Sequence, residues 1–211
     1  MRTTSKFLAV ALTASLQSAM AGTIPLNFED LTTLSKLNGN YHGVNISGSA
    51  WGGTSEVCNG DISFLRAGSC GALWLAVDPT QRKTGKLESL TMSIADGFEG
   101  LSFLYSGNAT LINLSVHVYD AAGAELGIGL TGLTGQSCAN YQFCNWSQPI
   151  TLNFTGLARS VTFSALDQAV LLDDLTFKTP STTGRLPEPT SVALALAALG
   201  GLAWSRKRKA G

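Results

Sequence analysis

Apolar residues in the middle of this chain recur with a period of two or in short unbroken runs, never with a helical period sustained over a dozen residues. Runs of strand length occur at Ile24 to Phe28, Gly43 to Ser47, Ile62 to Leu65, Ala72 to Val77, Leu87 to Ile94 and Leu101 to Tyr105. They continue at Leu111 to Tyr119, Glu125 to Leu130, Ile150 to Phe154, Ser160 to Phe163 and Val170 to Phe177, and Gly, Asn, Asp and Ser punctuate them. Within one run, Leu114, Val116 and Val118 share a face while Ser115, His117 and Tyr119 take the other. Asp120-Ala121-Ala122-Gly123 reads as a hairpin turn, and Trp74, inside a continuous apolar run, reads as core. No repeat of 20 to 50 residues is visible, so a solenoid is excluded along with an α/β enzyme. Many short strands between turn signals predict an all-β fold, a jelly-roll-like β-sandwich.

The two ends follow a different pattern. Arg2 and Lys6 precede the apolar Phe7 to Leu16, and Ala19-Met20-Ala21 supplies a small-x-small cleavage pattern, so residues 1–21 read as a signal peptide. At the other end, Thr179-Pro180 opens a polar linker over 179–186. Pro187-Glu188-Pro189 follows, which cannot continue a helix, then the apolar run Val192 to Trp204 and the basic block Arg206-Lys207-Arg208-Lys209. The run is shorter than the ~20 residues a bilayer core usually demands, so by itself it could be a buried helix. The adjacent cations favour a short transmembrane helix, since basic residues beside an apolar span are held on the cytoplasmic side and their long side chains snorkel.

This order of Pro-Glu-Pro, apolar span and basic tail over residues 187–211 resembles the PEP-CTERM sorting signal of exported bacterial proteins. The resemblance implies recognition of Pro187, Glu188 and Pro189 by an exosortase and a transient membrane anchor at Val192 to Trp204. It also implies Arg206 to Lys209 as a stop-transfer block. With signal peptidase as the second processing partner, it places the mature protein in the medium or at the surface of a Gram-negative bacterium, reached through a membrane-anchored precursor.

What lies between, residues 22–178, is one domain's worth of chain. Across 22–186 there are eight Lys/Arg against thirteen Asp/Glu, although the whole chain is formally neutral. An acidic body argues against nucleic acid as a partner. All four cysteines, Cys58, Cys70, Cys138 and Cys144, lie in this part, and an even count in an exported chain points to disulfides. Pairing neighbours, Cys58 with Cys70 and Cys138 with Cys144, staples one local loop each. A zinc site is the rival, without a Cys-x-x-Cys and with His42 and His117 distant from the cysteines in sequence.

Candidate chemistry is sparse. The chain has no Gly-x-Ser-x-Gly elbow, no His-Glu-x-x-His and no phosphate loop of the right spacing, which predicts a protein that is not an enzyme. Thirteen acids leave a glycoside hydrolase's carboxylate pair open as an alternative. His117 reads as a satisfied sheet histidine, and His42 sits in a loop. Glu29 after the first strand and Asp174 in the last look similar to the acidic pair that meets around a structural calcium in jelly-roll sugar-binding modules. The alternation puts Asp174 with Val170 and Leu172 and Asp173 with Leu171, Leu175 and Phe177, so one carboxylate points inward. The rival reading is that these acids border a turn or bond to backbone amides.

Trp51, Tyr141, Phe143 and Trp146 are the candidate ligand-binding aromatics, placed in loops where they either offer flat platforms or cap the sandwich. Five Asn-x-Ser/Thr triplets, at Asn45, Asn108, Asn113, Asn145 and Asn153, read as the mark of a Ser/Thr-rich sheet protein. Together these features predict an exported, structural or adhesive matrix protein in contact with extracellular polysaccharide. A dedicated carbohydrate-binding module is the first alternative, and a secreted hydrolase the second.

Overall fold

A computed structural model of the chain describes residues 22–55, 58, 68–107, 113–126, 130–134 and 146–180. The expected signal peptide, most of the linker, the sorting tail, the strand at Ile62 to Leu65, the Cys138 and Cys144 pair, Tyr141 and Phe143 lie outside the described residues.

Every regular element among the described residues is a β-strand, as the period of two predicts. They are β1 (Thr23–Leu26), β2 (Ser35–Lys36), β3 (Gly39–Tyr41), β4 (Val44–Gly48), β5 (Ala50–Thr54) and β6 (Gly71–Leu75), followed by β7 (Leu87–Gly107), β8 (Asn113–Tyr119), β9 (Leu130–Thr134), β10 (Ile150–Leu166) and β11 (Val170–Lys178). All pairings are antiparallel, and they join the strands into one continuous sheet.

Two long strands fold that sheet into a sandwich. The sequence pattern divides each of β7 and β10 into two shorter strands, but both run on from one layer into the other. The first half of β7 lies between β4 and the second half of β10, which carries β8 and then β9. The second half of β7 lies between β11 and the first half of β10, and β11 carries β6 and β1, with β5 and β2 beyond β6. At the passage between layers the register slips on both strands. Residues 94–97 of β7 face only Arg159, and residues 154–157 of β10 face only Glu99. Extra residues of this kind bend and twist a strand. Gly97, at φ 81°, occupies the bend with the Ala158 carbonyl against the place where a Cβ would be.

Rings from the two layers meet in the core. Phe103, in the second half of β7, and Phe163, in the second half of β10, stand edge to face at 5.3 Å, although each pairs in the sheet with a different residue. Phe98 at the bend touches Phe154 at 5.6 Å and Phe177 at 5.1 Å. Burying such a ring stabilises the fold by roughly 1.5–3 kcal/mol, so this cluster holds the layers together.

Polar contacts fix the ends. Cys58 and Cys70 form a disulfide, the local staple that neighbour pairing predicts. Asp120 accepts hydrogen bonds from the Ala122 and Ala124 amides, closing the turn after β8. At the β10–β11 turn, Asp167, 3% exposed, accepts from the Val77 amide at 3.0 Å and the Thr84 amide at 2.7 Å. Gln168, at φ 57°, donates to the carbonyls of Asp78 and Gln81. These two residues pin the loop between β6 and β7. No Gly or Pro marks that turn, and the sequence gives no signal for the clamp.

Candidate functional site

One transverse row on the second layer, on the face turned away from the main core, gathers most of the chain's tryptophan, with Leu171 and Ser106 of the row fully buried. Register places Lys36 opposite Trp51, Trp51 opposite Trp74, Trp74 opposite Leu171, Leu171 opposite Ser106, and Ser106 opposite Trp146. The row therefore crosses the sheet at right angles to its strands. Since adjacent strands lie about 4.8 Å apart, Trp74 and Trp146 are separated by roughly 14 Å and Trp51 extends the line one strand further.

The three indoles are half-buried. Trp74 and Trp146 pack with Leu34 on the buried Ala72 and Leu171, an apolar cluster separate from the main core. Trp51 stays outside that cluster, its indole N–H donating to the Val77 carbonyl at 3.0 Å. The expectation that Trp74 is core holds only in part: it packs half-buried on this second cluster and stands apart from the main core. Leu73 and Leu75 take the core face of β6, and strict alternation turns Trp74 outward between them. Trp51 is likewise on a strand, not in a loop, because the Gly52-Gly53 pair that resembles a turn continues β5. Of the four aromatics singled out from the sequence, Trp51 and Trp146 share this row.

The acidic stretches meet differently from expectation. Ser69 donates to Glu29 at 2.8 Å and lies 2.8 Å from Asp173, while both Glu29 oxygens accept from the Cys70 amide. Asp173, fully buried, also accepts from the Asp174 amide. The carboxylate that joins Glu29 is therefore Asp173, and Asp174 is exposed. A bulge is responsible: two residues of β11, Asp174 and Leu175, lie opposite one of β7, Phe103, and Asp174 takes up the extra length at φ 48°. This shift moves Leu175 and Phe177 into phase with Val170 and Leu172 on the core face. As described, the Glu29 and Asp173 oxygens are engaged by amides and Ser69, and no group of three or more metal-ligating side chains forms among the described residues.

The histidines each face a carboxylate. His117 Nδ1 is 3.0 Å from Glu125, across the bridge that is the only strand-like pairing described at Glu125. His42, at φ 49°, is 2.9 Å from Asp30, which also accepts from the Tyr41 hydroxyl. The Tyr41 ring stacks on Phe28 at 5.5 Å. Those hydrogen bonds, Tyr41's first and His42's next, hold the Asp30 carboxyl below its ordinary value of 3.8. Burial, then the Asp30 acceptor and the negative charges of Asp30 and Glu29, push the Tyr41 phenol above its ordinary 10.0.

Asp30→Asn is expected to bring the Tyr41 ionisation down toward the ordinary value without reaching it, because burial persists. Ultraviolet titration of the two proteins measures the difference. For Asp30 the sign is that of a depressed carboxyl: its contribution to stability is present above 3.8 and is lost as pH falls through its lower folded value.

The class so defined is an all-β sandwich with a half-buried aromatic row on the face of one layer turned away from the main core. The chain matches no known protein family and no curated protein in sequence. Among solved structures it is similar to the K2 cleaved adhesin domain of Lys-gingipain, with a TM-score of 0.52 and 13% identity over 75% of this chain and 100% of that one. It is more distantly similar to a family 61 carbohydrate-binding module in complex with β-1,4-galactotriose, with a TM-score of 0.41 and 12% identity over 66% of this chain and 91% of the other. A variant of a family 29 carbohydrate-binding module gives a TM-score of 0.43 and 12% identity over 76% and 93%. At these identities the adhesin comparison establishes the β-sandwich fold. No helix among the described residues is long and apolar enough to cross a membrane.

Proposed function

We propose that this chain is an exported surface or matrix protein whose sandwich holds extracellular polysaccharide on the row Trp51, Trp74 and Trp146. The observation that carries the reading is the row itself. Trp51 and Trp74 on strands and Trp146 on an isolated bridge stand in line, and the exposed parts of such indoles offer flat apolar faces to sugar rings with little ordering cost on binding. The role is adhesive or structural, not enzymatic. Its support is the absence of a catalytic motif in the sequence together with a row that presents aromatic faces and no paired acid and base.

Delivery follows the PEP-CTERM-like order of the tail: export by the signal peptide, temporary anchoring at Val192 to Trp204 and processing by an exosortase near Pro187-Glu188-Pro189. The support for this part is the sequence alone.

Trp51→Ala tests the binding reading cleanly, since Trp51 lies outside the buried Ala72 and Leu171 cluster. In affinity electrophoresis through polysaccharide gels, including the matrix polysaccharide of the producing bacterium, the wild-type protein is expected to be retarded. The variant should keep its circular dichroism and bind roughly 30-fold more weakly, the scale of an aromatic anchor. Equal retardation of the two proteins would remove the row from binding. Mass spectrometry of the mature extracellular protein tests delivery, and retention of residues 190–211 overturns it.

A further inference from the structure

The opposite outer face, on the first layer, carries a shallow cleft of about 470 Å³ that the tryptophan row does not use. Asn40, Asn45, Ser93 and Arg159 line it with polar groups, and Ile94 and Ala95 contribute its apolar part. The polar residues come from one transverse line of the sheet: Asn40 pairs with Asn45, Asn45 with Ser93, and Ser93 with Ser160, the neighbour of Arg159. Arg159 is the residue left over by the register slip between Ala158 and Ser160. Ala158 faces the core and Val161 returns to it, so the slip turns a cation toward the cleft.

The hydrogen-bonding state of these groups is what points to a ligand. Asn40 uses its carbonyl oxygen to accept from the Gly43 amide, leaving its NH₂ toward solvent. Among the described residues the side chains of Asn45, Ser93 and Arg159 make no hydrogen bond, and Arg159 makes no ion pair. The nearest acids in sequence do not compensate the charge. Asp120 is turned into its own loop by the Ala122 and Ala124 amides, and Asp96 is exposed beyond Ala95 without lining the cleft. An uncompensated guanidinium, two primary amides and a hydroxyl lining this shallow cleft form a donor-rich, cationic site in an otherwise acidic domain.

We infer that this cleft binds the carboxylate-bearing unit of an acidic saccharide, a uronate residue, with Arg159 on the carboxylate and Asn40, Asn45 and Ser93 on the carboxylate and ring hydroxyls. The inference does not rest on the tryptophan row, which lies on the other layer.

The test is titration calorimetry of the mature extracellular protein with oligosaccharides of galacturonate, mannuronate, guluronate and glucuronate. Each is compared with its methyl ester, which keeps the sugar and removes the charge. At least one uronate oligomer is expected to bind, to weaken as salt rises, and to lose binding on esterification. Arg159→Gln should weaken that binding about tenfold or more with unchanged circular dichroism, as expected for a charge-assisted pair. Trp51→Ala should leave it unaltered, which separates the cleft from the row. Absence of binding to every uronate, equal binding of the esters, indifference to Arg159→Gln, or dependence on Trp51 would each overturn the inference.

Discussion

Alanine in place of Gly71 is expected to abolish the folded protein. A Cβ at that position would lie 2.0 Å from the Phe28 carbonyl oxygen, 2.2 Å from its carbon and 2.7 Å from the Glu29 nitrogen. These are backbone atoms, so no rotamer change relieves the overlap. Nor is the segment free to retreat. Phe28 is fully buried at φ 57°, its carbonyl accepts from the Leu31 amide, and Glu29 is tied to the Cys70 amide beside Gly71. Moving any of these breaks a second contact, and the total exceeds the roughly 4 kcal/mol that marks the most damaging substitutions. Gly85 provides the comparison: its φ is 68° but nothing lies within 4 Å of its Cβ position. Gly85→Ala should therefore cost only the left-handed strain, about 1–2 kcal/mol. Soluble yield and thermal unfolding of the two variants, prepared side by side, check the contrast. Normal yield and melting of Gly71→Ala would show that the β1–β2 connection is not held against β6 as described.

Asp167→Ala is expected to be the next most damaging change. Removing this buried carboxylate strands the amides of Val77 and Thr84, and the loop between β6 and β7 loses half of its clamp. Burial opposes the charged form of Asp167. The Thr84 and Val77 amides, the Thr84 hydroxyl and Lys83 outweigh it, so the carboxyl titrates below its ordinary value. Loss of the charge-assisted bonds should cost about 3 kcal/mol. For a chain of this size that is a fall in Tm of roughly 6–12 °C. The same linkage predicts that wild type and variant converge as pH falls below the carboxylate range, because the wild-type advantage is lost when Asp167 is protonated. A constant gap between the two melting curves down to strong acid would contradict this account.

The strand pattern was legible wherever alternation was uninterrupted, as at Leu114, Val116 and Val118, all fully buried. It failed where a bulge changed the phase. The extra residue at Asp174 leaves Asp173 on the Leu171 side but moves Leu175 and Phe177 to the core face and turns Asp174 out to solvent, and no property of Asp-Asp itself announces it. Continuity of β7 and β10 was hidden for a related reason, since Gly97 and Gly156 read as breaks when they are the bends that carry each strand from layer to layer. Trp51 and Trp146 stood out by residue type, but their alignment with Trp74 is a matter of register across strands remote in sequence, which period two alone does not encode. Arg159 was invisible as a site residue because its partners, Asn40, Asn45 and Ser93, come from elsewhere in the chain.

β11 has a mechanical position. It carries Leu171 in the middle of the tryptophan row and, seven residues later, delivers the chain at Lys178 to whatever follows. Tension between a ligand on the row and an attachment beyond Lys178 would therefore run lengthwise along this strand. β11 is hydrogen-bonded to β7 on one side from Val170 to Lys178, and to β6 and then β1 on the other. Such a load shears many bonds at once, whereas a strand peeled from an edge releases them one after another. β11 is thus clamped along its length by partners on both sides.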